Sequence, residues 1–207
     1  MLDVHSQLPT RLADLVASRL CHDLVNPLGA IGNGVELLEM TGKADGPEME
    51  LIRDAVHAAE ARIRLFRLAF GSAGPDQNTS LREARQAVEG YFHQSRIVAD
   101  WRIDGDRPRL ETKLAFLMLL CAETTLPMGG EIAITQASDG PWSLEARGGR
   151  INIKADVWEL LQDADLAATG NLRPSDAQFV VLAHVAKALG RVVTFSATTE
   201  AMTLQLI

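Results

Sequence analysis

The sequence predicts an α+β protein, an N-terminal antiparallel helical hairpin followed by a two-layer α/β sandwich. Three observations predict it. Through the first 70 residues, apolar side chains recur at three- and four-residue steps, the period of an amphipathic helix. Gly71-Ser72-Ala73-Gly74-Pro75-Asp76-Gln77-Asn78 then breaks the pattern with turn-forming residues. Beyond it, short alternating segments interleave with helical stripes, the mark of helices grouped on a mostly antiparallel sheet. The boundary gives a hairpin domain over 1–72 and a sandwich domain over 79–207.

The first helix is expected over residues 8–40, a rod of about 50 Å at 1.5 Å per residue. At 100° per residue, the side opposite His22 carries Ala13, Val16, Ala17, Leu20, Leu24, Pro27, Leu28, Ile31, Val35 and Leu38, all apolar. The side of His22 carries Arg11, Leu15, Ser18, Arg19, Asn26, Gly29, Asn33 and Glu36, and Val25 also falls there. His22 is therefore expected to face solvent or a partner. The run Thr41-Gly42-Lys43-Ala44-Asp45-Gly46-Pro47 supplies glycine after a helix end and proline at a helix start. Met49, Ile52, Val56, Ala59, Ile63, Phe66 and Phe70 form the stripe of the second helix. Two long helices cannot cover their own stripes. A second copy would complete a four-helix bundle; the alternative cover is the C-terminal half of the same chain.

After the linker, helices are expected over 80–94, 110–126, 156–163 and 175–189, and strands over 97–103, 131–135, 142–147, 192–197 and 202–207. Trp101, Trp142 and Trp158 read as core or interface anchors, since no basic residues interleave with them as in a base-stacking platform. His184, among Val180, Val181, Leu182 and Val185, is expected to be buried or half-buried, and His5, His57 and His93 to be ordinary surface residues.

Composition narrows the function classes. With 207 residues and 47% hydrophobic content, the chain has ample material for packed cores. A formal charge of -7 argues against general nucleic-acid binding, which depends on basic side chains neutralising phosphates. Residues 1–10 lack the pattern of a signal peptide, and no run of 18 apolar residues exists, so a cytoplasmic protein without a membrane segment is expected. Cys21 and Cys121 lie far apart in unlike contexts and suggest neither a disulfide nor a thiolate metal site. Arg62, Arg64 and Arg67 form either a patch for an acidic partner or a solvated helix face.

The chemistry concentrates in His22-Asp23-Leu24-Val25-Asn26-Pro27-Leu28. This string resembles the phosphoacceptor box of sensor histidine kinases, in which a histidine and an acid precede a proline. The order of elements after the linker resembles the ATP-binding domain of those kinases. The boxes that hold nucleotide do not. Cys121, in Leu120-Cys121-Ala122-Glu123, stands where the kinases place a magnesium-holding asparagine. Glu145-Ala146-Arg147-Gly148-Gly149-Arg150 lacks the aspartate that reads adenine, and Thr169-Gly170-Asn171-Leu172-Arg173-Pro174-Ser175 replaces the second glycine loop. A kinase-shaped chain with its phosphoacceptor kept and its nucleotide site erased is similar to the dimeric histidine phosphotransferases of the ChpT type.

That resemblance implies a relay. His22 would carry a phosphoryl group between receiver-domain aspartates of a hybrid kinase and of response regulators, as a phosphotransferase intermediate and not an autokinase. It implies no cofactor or metal bound by this chain, with Mg2+ brought by the receiver. Neutral imidazole is a competent nucleophile at physiological pH. Asp23 could accept a hydrogen bond from the other ring nitrogen, remain a solvated helix acid, or join the magnesium shell of the complex. Leu15, Ser18, Arg19, Val25, Asn26, Gly29 and Asn33 would form the docking surface. Pro27 deprives the Asp23 carbonyl of its helical partner, at about 3 kcal/mol, and Gly29, Gly32 and Gly34 cost about 1 kcal/mol each. Gly29 would admit a receiver backbone, and Gly32 and Gly34 would permit tight helix packing. Two other functions stay open: a divergent ATP-dependent kinase, and a non-catalytic dimeric scaffold.

Overall fold

The computed structural model describes residues 4–41, 46–137, 140–162 and 172–207, with the side chains of residues 4–11, Glu39 and Thr41 left aside. Residues 42–45 of the expected turn, Asp163 of an expected helix and Thr169-Gly170-Asn171 of the replaced loop lie outside the described residues, as do the side chains of His5 and Arg11.

Helix α1 spans Val4–Thr41 and α2 spans Pro47–Phe70. Pro47 opens α2, where its missing N–H costs nothing, and Glu48 and Glu50 stand in the first turn, where the helix dipole favours acids. α1 continues through Pro27, whose ring is buried. Where α1 meets α2, a side chain at Gly34 would collide with Ile52. Close packing thus accounts for that glycine. It does not account for Gly32, which has open space around it, as has Gly29.

The remaining elements are β1 (Asn78–Thr79), α3 (Leu81–Phe92), β2 (Ile97–Trp101), β3 (Arg107–Pro108), α4 (Arg109–Glu123), β4 (Gly130–Gln136), β5 (Trp142–Arg147), α5 (Ala155–Trp158), α6 (Ala177–Ala188), β6 (Val193–Ala197) and β7 (Ala201–Leu206). Single 3-10 turns, Glu159–Leu161 and Pro174–Asp176, follow α5 and precede α6. The five-stranded sheet runs β2-β4-β5-β7-β6, with β2 parallel to β4 and every other pair antiparallel. A parallel pair needs a long crossover, which α4 provides.

Period-two alternation sorts the sheet into two faces. Ile97, Trp101, Ile132, Ile134, Trp142, Leu144, Ala146, Met202, Leu204, Leu206 and Val193 are buried under the helices, while Val98, Glu131, Thr135, Arg147, Gln205 and Thr194 face out. α4 is the central helix. Its residues Leu114 through Ala122 are all buried, so it has no solvent stripe. The three tryptophans sit in this core, Trp101 stacked on Phe116 at 5.3 Å. His184 corrects the expectation: it is exposed, because α6 turns Leu182, Ala183 and Ala186 inward and places His184 on the opposite side.

The hairpin is joined to this core and not merely tethered. Leu65, Phe66, Leu68 and Ala69 of α2 are buried in the same cluster as α3, α4 and the sheet. The carbonyls that end a helix lack a full set of intrahelical donors. The Arg67 carbonyl accepts from Arg109 at 2.9 Å as well as from the Gly71 N–H, and Lys113 donates to the carbonyls of Phe70 at 3.4 Å and Gly71, just past the helix, at 2.8 Å. Asn78, read as the end of a linker, instead begins β1, which pairs with β3 through Asn78↔Pro108 and Thr79↔Arg107. A two-residue strand is too short to show a period. Among the described residues, no helix is long and apolar enough to cross a membrane.

Candidate phosphoacceptor site

The site is built on α1, midway along the hairpin. The His22 side chain is 78% exposed, and its neighbour Asp23 only 14%. Successive helix residues diverge by 100°, so one points out and the other turns toward the body of the protein. The two still meet, with His22 Nδ1 3.0 Å from Asp23 Oδ1. A carboxylate can only accept, so this contact requires the proton on Nδ1 and leaves the lone pair on Nε2. Of the three roles open to Asp23 from sequence, this geometry matches the orienting one. The other carboxylate oxygen, Oδ2, accepts from Arg19 Nε at 2.7 Å, an i,i+4 pair one helical turn back.

The expected docking residues divide. Ser18, Val25, Asn26, Gly29 and Asn33 are exposed around His22, Val25 at 63%. Leu15 and Arg19 are half-buried and turned toward the sandwich. There Asp14, Leu15 and Ser18 share a small cleft with Leu172 and Pro174, and Arg19 Nη1 donates to the Ser175 carbonyl at 3.4 Å.

Below the histidine, a cleft of about 720 Å³ opens between α1, α2 and the end of α3. Asn26, Pro27, Asp54, Arg62, Tyr91 and Glu123 are among its lining residues. The Tyr91 hydroxyl donates to Glu123 Oε2 at 3.1 Å. Burial pushes the Glu123 carboxyl above the usual carboxylate range, against the lowering effect of the Tyr91 hydrogen bond and of Arg19. Burial and the Glu123 charge also push the Tyr91 phenol up. Sequence reading missed this pair. The available signal was an acid closing the otherwise apolar run Leu114–Ala122, in a chain with a single tyrosine.

Cys121 is fully buried, and burial pushes its thiol well up, so it serves as a neutral packing group. Cys21, beside His22, is exposed. Among the described residues, no group of three or more His, Cys, Asp or Glu side chains is arranged to hold a metal ion.

A family model for the histidine phosphotransferase C-terminal domain matches residues 81–201. The protein phosphotransferase ChpT of Brucella abortus (strain 2308) is 38% identical over 127 residues, 59% of this chain. The match spans 59% of that curated relative's length. A solved structure described as a bacterial phosphotransferase superposes with a TM-score of 0.78 at 28% identity, covering 96% of both chains.

Proposed function

This chain belongs to the histidine phosphotransferase family, and we propose that it relays a phosphoryl group between receiver-domain aspartates through His22. The observation that carries this reading is an imidazole 78% exposed whose Nδ1 is engaged by Asp23. Nε2 attacks the phosphorus of a docked aspartyl phosphate. The N–P bond forms as the P–O bond breaks, and the receiver carboxylate leaves with the electron pair. The ring gains positive charge in this step, and the Asp23 carboxylate faces that charge at Nδ1. The transition state is loose, so positioning supplies much of the rate. Magnesium comes with the receiver. Return to a second aspartate is the same step reversed.

The phosphate originates elsewhere. Cys121 is sealed in the core at the position where the kinase resemblance expects a magnesium-holding asparagine, which supports ATP independence. The expected result is that a phosphorylated receiver labels this protein with acid-labile, base-stable phosphate, whereas labelled ATP alone leaves it unlabelled. Robust labelling from ATP would make the chain a kinase. No labelling from any receiver would remove the relay. The same reading places the protein in the cytoplasm, with hybrid kinase and response regulator receivers as its partners.

The working unit is a homodimer. On the hairpin, Leu28 is 59% exposed, Val35 43%, Val56 36% and Ile63 52%, spaced seven residues apart on each helix as the apolar face of a helix bundle would be. The expected stripe of α1 is thus half covered, with Val16, Leu20, Leu24, Ile31 and Leu38 turned toward the chain itself. A second hairpin would cover the rest as a four-helix bundle. Sedimentation equilibrium should give twice the 22.5 kDa chain mass, and Leu28→Glu combined with Ile63→Glu should give single chains. A wild type that sediments at one chain mass at micromolar concentration would refute the dimer.

A further inference from the structure

We propose that Arg19 is a positioning residue: through Asp23 it holds the His22 imidazole in the tautomer that leaves Nε2 free, and it takes its own position from the sandwich domain. The inference rests on the relay reading for its rate consequences only.

Asp23 and His22 are adjacent on a helix, and such side chains do not naturally face each other. One aspartate rotamer brings Oδ1 to the ring, and water competes for it. Arg19 removes that competition by occupying the second oxygen, Oδ2, at 2.7 Å. The guanidinium is a rigid fork whose donors act at fixed angles, so binding one arm aims the others. A second arm, Nη1, reaches the Ser175 carbonyl at 3.4 Å. That carbonyl belongs to the 3-10 turn before α6. The turn is fixed by Arg173, whose Nε and Nη2 donate to the Asp176 carboxylate at 3.0 and 3.1 Å.

An exposed i,i+4 ion pair contributes little to a helix, because solvent screens it. Arg19 and Asp23 differ from such a pair in being shielded, with side chains 15% and 14% exposed beside a histidine at 78%. A chain of contacts therefore runs from a backbone carbonyl of the sandwich, through guanidinium and carboxylate, to Nδ1. Through that chain the sandwich would orient the nucleophile without placing any of its own side chains on the ring.

The test compares wild type, Arg19→Ala, Arg19→Lys, Asp23→Ala and the Arg19→Ala/Asp23→Ala double variant, each checked for folding by circular dichroism. Nitrogen-15 NMR of His22 reads the tautomer, and single-turnover transfer from a phosphorylated receiver reads the rate. Wild type should hold the proton on Nδ1. Arg19→Ala should shift the ring toward a mixture and slow transfer by about ten- to a hundredfold, with receiver affinity kept within about twofold. Arg19→Lys, which keeps the charge but not the fork, should recover part of both. The double variant should be no slower than Asp23→Ala, because the two residues act on one path.

An unchanged tautomer in Arg19→Ala overturns the proposal, whether or not receiver affinity falls. So does a double variant whose penalties multiply. The tautomer comparison needs no phosphoryl donor. A wild type that accepts no phosphate would therefore sink the relay while leaving the orientation of His22 to be judged independently.

Discussion

His22→Ala is expected to abolish acceptance of phosphate from a phosphorylated receiver, lowering the transfer rate by more than about a thousandfold while folding, self-association and receiver binding persist. The magnitude follows from chemistry: removing the nucleophile removes the atom that forms the bond, and positioning alone recovers little of it. The specificity follows from exposure. With 78% of its side chain in solvent, His22 contributes almost nothing to packing, and alanine is the better helix former, so stability should move by less than about 0.5 kcal/mol. Gel filtration and receiver titration should match wild type. Retention of signalling by this variant would make the chain a scaffold and would refute the relay.

Trp158→Ala should cost about 3–5 kcal/mol of unfolding free energy, read as a shifted urea midpoint, with Trp158→Phe losing much less. Trp158 is 1% exposed and closes α5, a helix of only four residues that cannot stand on its own hydrogen bonds. Its ring packs edge-on to Phe179 of α6 at 5.3 Å and to Phe195 of β6 at 4.9 Å. Alanine there leaves three elements facing a void. Against a typical domain stability of about 5–15 kcal/mol, the loss leaves the sandwich marginal. Since α6 and its preceding turn carry the carbonyl that meets Arg19, transfer should also slow before the chain unfolds. A loss below about 1 kcal/mol would mean that α5 and α6 collapse to refill the space.

Much of this architecture is legible in sequence because it depends on local periodicity. β5 falls over 142–147 as expected, and α3, α4 and α6 lie within a few residues of their expected spans. Their stripes are strong and their ends carry recognisable signals, such as Ser80, whose hydroxyl accepts from the Glu83 N–H at the start of α3. Long-range features were not legible. β1 and β3 exist only because two distant dipeptides pair, and His184 was misjudged because apolar neighbours in sequence do not fix which side of a helix is inward. At the candidate site, the exposure of His22 was readable from its side of the amphipathic helix. Tyr91, Glu123 and the contact of Arg19 with the Ser175 carbonyl were not, since each joins segments far apart in the chain.

The grip of Arg109 and Lys113 on the final carbonyls of α2, together with Leu65, Phe66, Leu68 and Ala69 submerged in the sandwich, has a consequence for traffic. Here the two lobes share one interior, and separating them would expose four apolar side chains to water. Under the proposed relay, the imidazole would keep a fixed berth and the receiver would make every journey.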